Sequence, residues 1–391
     1  MLRQRGLVRR RKGTCGVNTL SRVAAIGVMT SEIQSQLGRK HVFMPHVVPQ
    51  SARGRATVRS AGLVPVFTQL ECQFPLRLIA PHLAARNASA AARENAARAG
   101  GLSSKGVGVL YVISFGGGLV SGDSVTLDID IGEGTRLVML TQGSTKVYRE
   151  RRGRDPAAAG LPRAAGPASS QYMRYLVRPN ATLILLADPV TCFARSRYTQ
   201  VQRVDLRCPH TSSLVLLDWV TSGRLAVEVE SDRVPEFWLF YLYHSRNEVR
   251  VGDTVVARDV QWLEQDLPDD LKNYYSDLGR RCAPYACYAT LILYGPECEA
   301  ICGTLAAEFA QIQQGQPLRG GSQELPELLW SFSGLRTEPA AGGAAASTAP
   351  LPGAVVRIAA RETEMIKAWL HRRLGHLRTL IGYDMYSMCF R

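Results

Sequence analysis

Short segments in which apolar and polar residues alternate strictly set the tightest limit on how this chain can fold. Residues 124–131 read Ser-Val-Thr-Leu-Asp-Ile-Asp-Ile, which puts Val125, Leu127, Ile129 and Ile131 on one face. A period of two belongs to a half-buried strand, because successive side chains of a strand point to opposite sides. Similar segments recur at 107–113, 135–141, 171–177, 182–186, 200–206, 213–217, 225–229, 237–243 and 248–251. Gly, Pro, Asn and Asp punctuate them. The spacing predicts a mainly β protein of many short strands in stacked or helically wound, β-helix-like sheets, with a few helices towards the C-terminus. Helical periodicity is confined to 298–313 (Ile301, Leu305, Phe309, Ile312) and 362–381 (Ile366, Trp369, Leu370, Leu374, Leu377, Ile381), with a third, Ala/Arg-rich stretch at 84–99.

The run Gly116-Gly117-Gly118-Leu119-Val120-Ser121-Gly122-Asp123 invites comparison with a phosphate-binding loop. A phosphate loop must open a helix, whose free amides and dipole hold the anion. Here an alternating strand follows, Ser121 stands where a third glycine is wanted, and no Gly-Lys-Ser/Thr triplet exists. The nucleotide reading fails. The glycines instead supply positive φ or close packing, and Gly132-Glu133-Gly134 predicts a hairpin joining 124–131 to 135–141.

At 391 residues the chain has ample length for a large core. Its longest apolar runs are strand-sized, so no membrane span is expected. The formal net charge of +14 is concentrated at one end: residues 1–60 hold twelve Lys/Arg against a single acid, Glu32. Residues 1–62 therefore read as a basic, low-order extension and 63–391 as a β-rich domain with loop insertions at 84–100, 152–170 and 339–353. The arm would suit nucleic acid, a mitochondrial targeting segment, or neither. Nine cysteines in so long a chain argue against a disulfide scaffold and for a reducing compartment.

No catalytic constellation is evident. Ser121 lacks the Gly-x-Ser-x-Gly context, and neither His210 nor His244 has neighbours that nominate it as a base. Cys298 and Cys302 share a helical face and could meet a soft metal, but small buried hydrophobes are the simpler reading. Cys282 and Cys287 do not have zinc-knuckle spacing, and His371 and His376 point in different directions. Three carboxylates adjoin apolar strands: Asp123, Asp218 and Asp259. Buried and unpaired, each would cost several kcal/mol, on the order of what any isolated polar group costs. Each must therefore cap a turn, pair with an arginine such as Arg224 or Arg258, stay hydrated, or meet a cation. Asp188 and Arg195 suggest a further local pair.

The sequence from Gly116 through Thr141-Gln-Gly-Ser-Thr145-Lys146-Val-Tyr148 closely resembles the signature of the urease accessory protein D family (UreD, or UreH). Phe74-Pro75-Leu76, Leu186–Tyr198, Asp218–Arg224, Val255–Asp259 and Val355–Ile358 follow the family order, with Ala187 where a proline is usual. The resemblance implies a β-rich, non-enzymatic maturation factor in the cytoplasm. Such a factor binds apo-urease and accessory proteins F and G, the latter a GTPase, and assists nickel delivery. It also implies no tightly bound cofactor, nickel in transit past Asp123, Asp218 and Asp259, and Gly117, Gly118, Gly122, Asp123, Thr145, Lys146 and Tyr148 as family motif positions. A nucleic-acid-binding protein acting through the basic arm is the alternative.

Overall fold

The computed structural model describes residues 52–81, 105–150, 167–225, 235–271, 274–315, 325–335 and 352–390. Two sheets form the body. One has seven strands: β1 (Ala52–Ala61), β2 (Val64–Cys72), β6 (Ser124–Ile131), β9 (Ser169–Val177), β12 (Arg197–Leu206), β14 (Leu242–Val251) and β15 (Thr254–Glu264). Their spatial order is β15-β14-β12-β9-β6-β1-β2. The other sheet contains β3 (Leu76–Ile79), β4 (Gly106–Ser114), β7 (Thr135–Thr141), β10 (Thr182–Leu186), β13 (Ser213–Thr221), β16 (Cys287–Tyr294), β17 (Leu328–Leu335) and β18 (Gly353–Ala360), in the order β17-β18-β16-β13-β10-β7-β4-β3. Three short strands, β5 (Gly118–Leu119), β8 (Thr145–Val147) and β11 (Val190–Cys192), pair among themselves and join it through β13.

From β6 to β13 the long strands fall alternately in one sheet and the other. Neighbours within each sheet, β6–β9–β12–β14 and β4–β7–β10–β13, are consequently parallel. The chain is thus wound into a flattened β-coil, the helically wound form of the expected architecture. This overturns the predicted hairpin: β6 pairs in parallel with β1 and β9, whereas β7 pairs in parallel with β4 and β10. Alternation fixes which face of a strand is buried but not which strand lies beside it. The Gly132–Gly134 turn carries the chain across the gap between sheets instead of back along the same sheet. Gly132 passes so close to β1 that an added Cβ would lie 2.7 Å from the Val58 carbonyl oxygen.

Between the sheets lies one apolar cluster, in which Leu127, Tyr175, Val204 and Val249 meet Leu137, Leu183, Leu214 and Ile292. A second covers the other face of the larger sheet, where Val138, Ile184, Val215 and Leu291 pack against helices α2 (Glu299–Gly315) and α3 (Thr363–Arg373). Burial on both faces explains why all nine residues of β13 are buried and why β10 and β16 read as continuous apolar runs. Helix α1 (Asp277–Cys282) is capped by Ser276, whose Oγ accepts from the Gly279 amide at 2.9 Å; α4 (Leu377–Ile381) and α5 (Tyr383–Met388) close the chain.

Several sequence boundaries shift. β1 lies inside the segment 1–62 assigned to the basic extension; it sits between β6 and β2 and buries Ala52, Ala56 and Val58. Its Arg53, Arg55 and Arg59 lent the stretch the look of the leader, but they occupy the outward positions of an alternating strand. The strand expected at 237–243 begins only at Leu242, after fully buried Trp238, which has φ +54°. The helix expected over 362–381 is broken at Leu374–His376. Residues 1–51, the helix expected at 84–99, most of 152–170, 226–229 and 339–351 lie outside the described residues; β9 and β18 begin at Ser169 and Gly353.

Candidate functional site

The glycine run makes a tight surface turn. Gly116, Gly117 and Gly122 take φ values of +81°, +75° and +86°, where a side chain would be strained. Gly118 has a different reason to lack a side chain. It pairs with Lys146 across β5 and β8, and a Cβ there would lie 2.2 Å from the Lys146 carbonyl oxygen. Asp123 closes the turn: its Oδ2 accepts from the Val120 amide at 2.7 Å, and its own amide donates to the Val120 carbonyl at 2.8 Å. The turn-capping reading therefore holds for Asp123. Thr145 donates its amide to Pro189, Tyr148 donates its hydroxyl to the Gly116 carbonyl at 3.5 Å, and Lys146 is exposed. The family motif positions thus build one small structure in which β5, β8 and β11 hold each other.

Under this structure a cavity of about 310 Å³ runs inwards. Gly117, Gly118, Thr141 and Lys146 line it near the surface turn; Gln171, Gln200, Gln202 and Asp218 line it between the sheets. Asp188 stands on its wall, where its Oδ2 accepts from Thr141 Oγ1 (3.2 Å) and the Gly143 amide (3.0 Å). The expected Asp188–Arg195 pair does not form; Arg195 donates instead to the carbonyls of Pro268 and Asp269.

The cavity ends on a polar layer inside an otherwise apolar core. Two rows cross the seven-stranded sheet in register, Gln171–Gln200–Ser245–Gln261 and Gln202–Asn247–Asp259. A third, Asp218–Thr290–Arg357, crosses the facing sheet. Asp218 accepts from Gln200 Nε2 (2.9 Å), Ser245 Oγ (2.6 Å) and Asn247 Nδ2 (2.6 Å), all reaching across from the opposite sheet. Asp259 accepts from Thr290 Oγ1 (3.1 Å) and forms an ion pair with Arg357 (2.8 Å). Arg258 turns outwards to Glu248, and Arg224 pairs with Glu236, so neither arginine takes the partner suggested by sequence. Tyr198 donates to Gln171 (2.5 Å) and to Gln200 (2.8 Å), and Tyr175 to Gln202 (3.3 Å).

Burial pushes the Asp218 carboxyl above the ordinary aspartate value; the Ser245, Asn247 and Gln200 donors pull it back, and the Asp259 charge adds to the rise. Burial likewise keeps Tyr198 and Tyr243 protonated well beyond the ordinary range. The layer sets the partly destabilised Asp218 carboxyl among neutral amide and hydroxyl side chains, beside the Asp259–Arg357 ion pair. Among the described residues no three of His, Cys, Asp and Glu come together as a metal-holding group.

Of the three aspartates singled out from sequence, the structure brings Asp218 and Asp259 into one layer and leaves Asp123 at the surface turn. The sequence reading missed Gln171, Gln200, Gln202, Ser245, Asn247, Thr290 and Arg357. Their signal was present: in β12 and β14 both sets of alternate positions carry polar residues, so one polar set had to face inwards. Cys298 and Cys302 are core residues, with Cys298 Sγ donating to the Leu214 carbonyl at 3.2 Å. Ser121 Oγ donates to the Pro167 carbonyl (3.0 Å), and His244 packs at a tilt against Trp262. Neither is set up as a nucleophile or base.

The sequence model of a family described as UreD urease accessory protein matches residues 50–390. A protein of Cryptococcus neoformans named urease accessory protein 4 is 32% identical over 87% of this chain and 95% of its own. Proteins named urease accessory protein D from Oryza sativa subsp. japonica and Arabidopsis thaliana are 30% and 29% identical, each over 86% of this chain and over 95% and 100% of their own.

Proposed function

Starting from the chain's membership of the UreD family of urease accessory proteins, we propose that it is a non-catalytic maturation scaffold that grips apo-urease together with accessory proteins F and G. In this reading, nickel passes through its interior on the way to the urease active site. The observation that carries the reading is the continuity of the cavity lining from the family motif, at Gly117, Gly118 and Lys146, to Asp218 between the sheets. A passage for a divalent ion needs oxygen donors at intervals, none strong enough to hold it. Asp188, Asp218 and the amide and hydroxyl side chains around Asp218 provide that spacing, and Asp259, paired with Arg357, adds a second carboxylate near Asp218 outside the cavity lining. The ion is cargo here, and the chain's residues bind it briefly, exclude bulk water and pass it on. Asp123, which closes the surface turn, is assigned to shaping the entrance.

The test is maturation of apo-urease with F and G, with and without this chain, reading bound nickel and ureolytic activity. Equal activation in both rejects the scaffold. Asp218→Asn combined with Asp259→Asn addresses the interior route: nickel loading should fall at least tenfold while the complexes still assemble. Unchanged loading in assembled complexes would remove the route and leave the scaffold standing.

A further inference from the structure

The outer face of the seven-stranded sheet has an unusual composition for a largely parallel sheet. Such sheets normally carry helices on both faces; here, among the described residues, α2 to α5 pack on the outer face of the other sheet, and α1 contributes Leu278 and Cys282 to the cluster between the sheets. The register lays a single row across six adjacent strands: Arg55, Asp128, Arg174, Arg203, Glu248 and Arg258. Adjacent strands are about 4.8 Å apart, so the row spans roughly 24 Å, the width of a protein–protein contact.

Arginine outnumbers carboxylate on this face; Asp128 and Asp205 each hold one arginine, Arg174 and Arg203, and two further carboxylates are shared. Glu248 receives Arg246 (2.5 Å), Arg258 (3.1 Å) and Arg250 (3.7 Å). Asp130 receives both Arg59 (2.7 Å) and Arg178 (2.9 Å). One carboxylate offers about four lone-pair sites, whereas three guanidiniums offer about fifteen N–H donors. The surplus shows as buried Nε atoms of Arg246 and Arg250 without a hydrogen-bond partner. It also shows in guanidinium-bearing side chains that remain 42% (Arg246), 67% (Arg174) and 47% (Arg258) exposed. The shared acids hold these planar forks in place, which lowers the entropy lost when they bind a further anion.

We infer that this face is a docking surface for a partner protein whose own surface is rich in carboxylates. A planar guanidinium pairs with a carboxylate bidentately, and a fixed array of them selects a fixed array of acids. A second copy of this chain does not fit, because two arginine-rich faces repel. Nucleic acid fits less well, since Asp128, Asp130, Asp205 and Glu248 interrupt the cationic surface that a phosphate backbone tracks. The inference rests on the scaffold reading only in naming apo-urease as one partner to try.

The experiment uses the full chain with two probes, a twenty-residue glutamate-rich peptide and apo-urease, at low and moderate salt. Arg174→Glu with Arg203→Glu reverses the face. Arg281→Glu with Arg372→Glu, both exposed on α1 and α3, makes the same charge change elsewhere. The face variant should bind both probes at least tenfold more weakly at low salt and lose most of the salt dependence, with the control close to wild type. Should the reversed face fail to fold by thermal melting, Arg53→Gln with Arg55→Gln replaces it, with at least a threefold loss expected. Equal affinity in face and control variants overturns the inference. So does tighter binding of a single-stranded RNA of matched charge that the face variant abolishes. If the peptide discriminates the variants but no version binds apo-urease, the surface stands and the scaffold reading fails.

Discussion

At the scale of single residues, the positions that matter most are those whose neighbours leave no alternative. Gly118→Ala would push a methyl group into the Lys146 carbonyl, at 2.2 Å, and β5 and β8 cannot separate without losing the cavity mouth. A loss of about 1–3 kcal/mol is expected, the usual cost of overpacking, read as a lowered thermal midpoint together with impaired urease activation. Asp218 gives a test that depends on pH. Because its folded pKa is raised, its contribution to stability is present below the ordinary aspartate value and is lost as pH rises through the folded value. Asp218→Asn removes that dependence, so the variant should compare more favourably with wild type at pH 7 than at pH 4 in parallel melts. Sequence reasoning could nominate Asp218 because an acid beside an apolar strand must be accounted for. It could not say which of Asp218 and Asp123 faces inwards, since both adjoin apolar strands and only the tertiary structure decides.

Among elements, the join between helix α2 and the sheets hangs on Glu297. Its carboxylate receives Lys105 Nζ (2.8 Å), Arg136 (2.9 Å) and Thr182 Oγ1 (2.7 Å), tying the turn before α2 to β7 and β10. Burial alone would raise this carboxyl, but the hydrogen bonds and charges of Arg136 and Lys105 outweigh it and bring it down to about 2. A depressed carboxyl contributes stability above its unfolded value and loses it as pH falls towards 2. Glu297→Gln should therefore cost about 3–5 kcal/mol at neutral pH, the range for breaking a buried pair. It should also flatten the stability profile between about pH 4.5 and 2, measured by denaturant titration. Helices α2 and α3 were legible from their 3.6 period, and β7 and β10 from their places in the series of short segments parted by turn residues. Partnership was not legible: a strand with one apolar face reads the same in a hairpin as in a wound coil, and the Gly132–Gly134 turn serves either. β16 (Cys287–Tyr294), nearly all buried, was not among the segments read from sequence.

For the molecule as a whole, the winding makes strands remote in sequence into neighbours, and truncation tests this directly. Removing residues 1–50 should leave the thermal midpoint within a few degrees of wild type. Removing 1–61 takes away β1, an interior strand that contributes Ala52, Ala56 and Val58 to the core, and should abolish cooperative unfolding in calorimetry. The mainly β character was evident from spacing alone; the true edge of the body was not, because arginines on an outward strand face resemble arginines in a tail.

Asp218 is also a rivet: its two oxygens fasten one wall of the coil to side chains of β12 and β14 in the other. An ion taking those oxygens on the proposed route would undo the rivet while it stayed, so the loaded molecule would be the looser one. On the proposed route, passage and the grip between the walls would draw on the same three hydrogen bonds, which would set a ceiling on how long a passenger could remain.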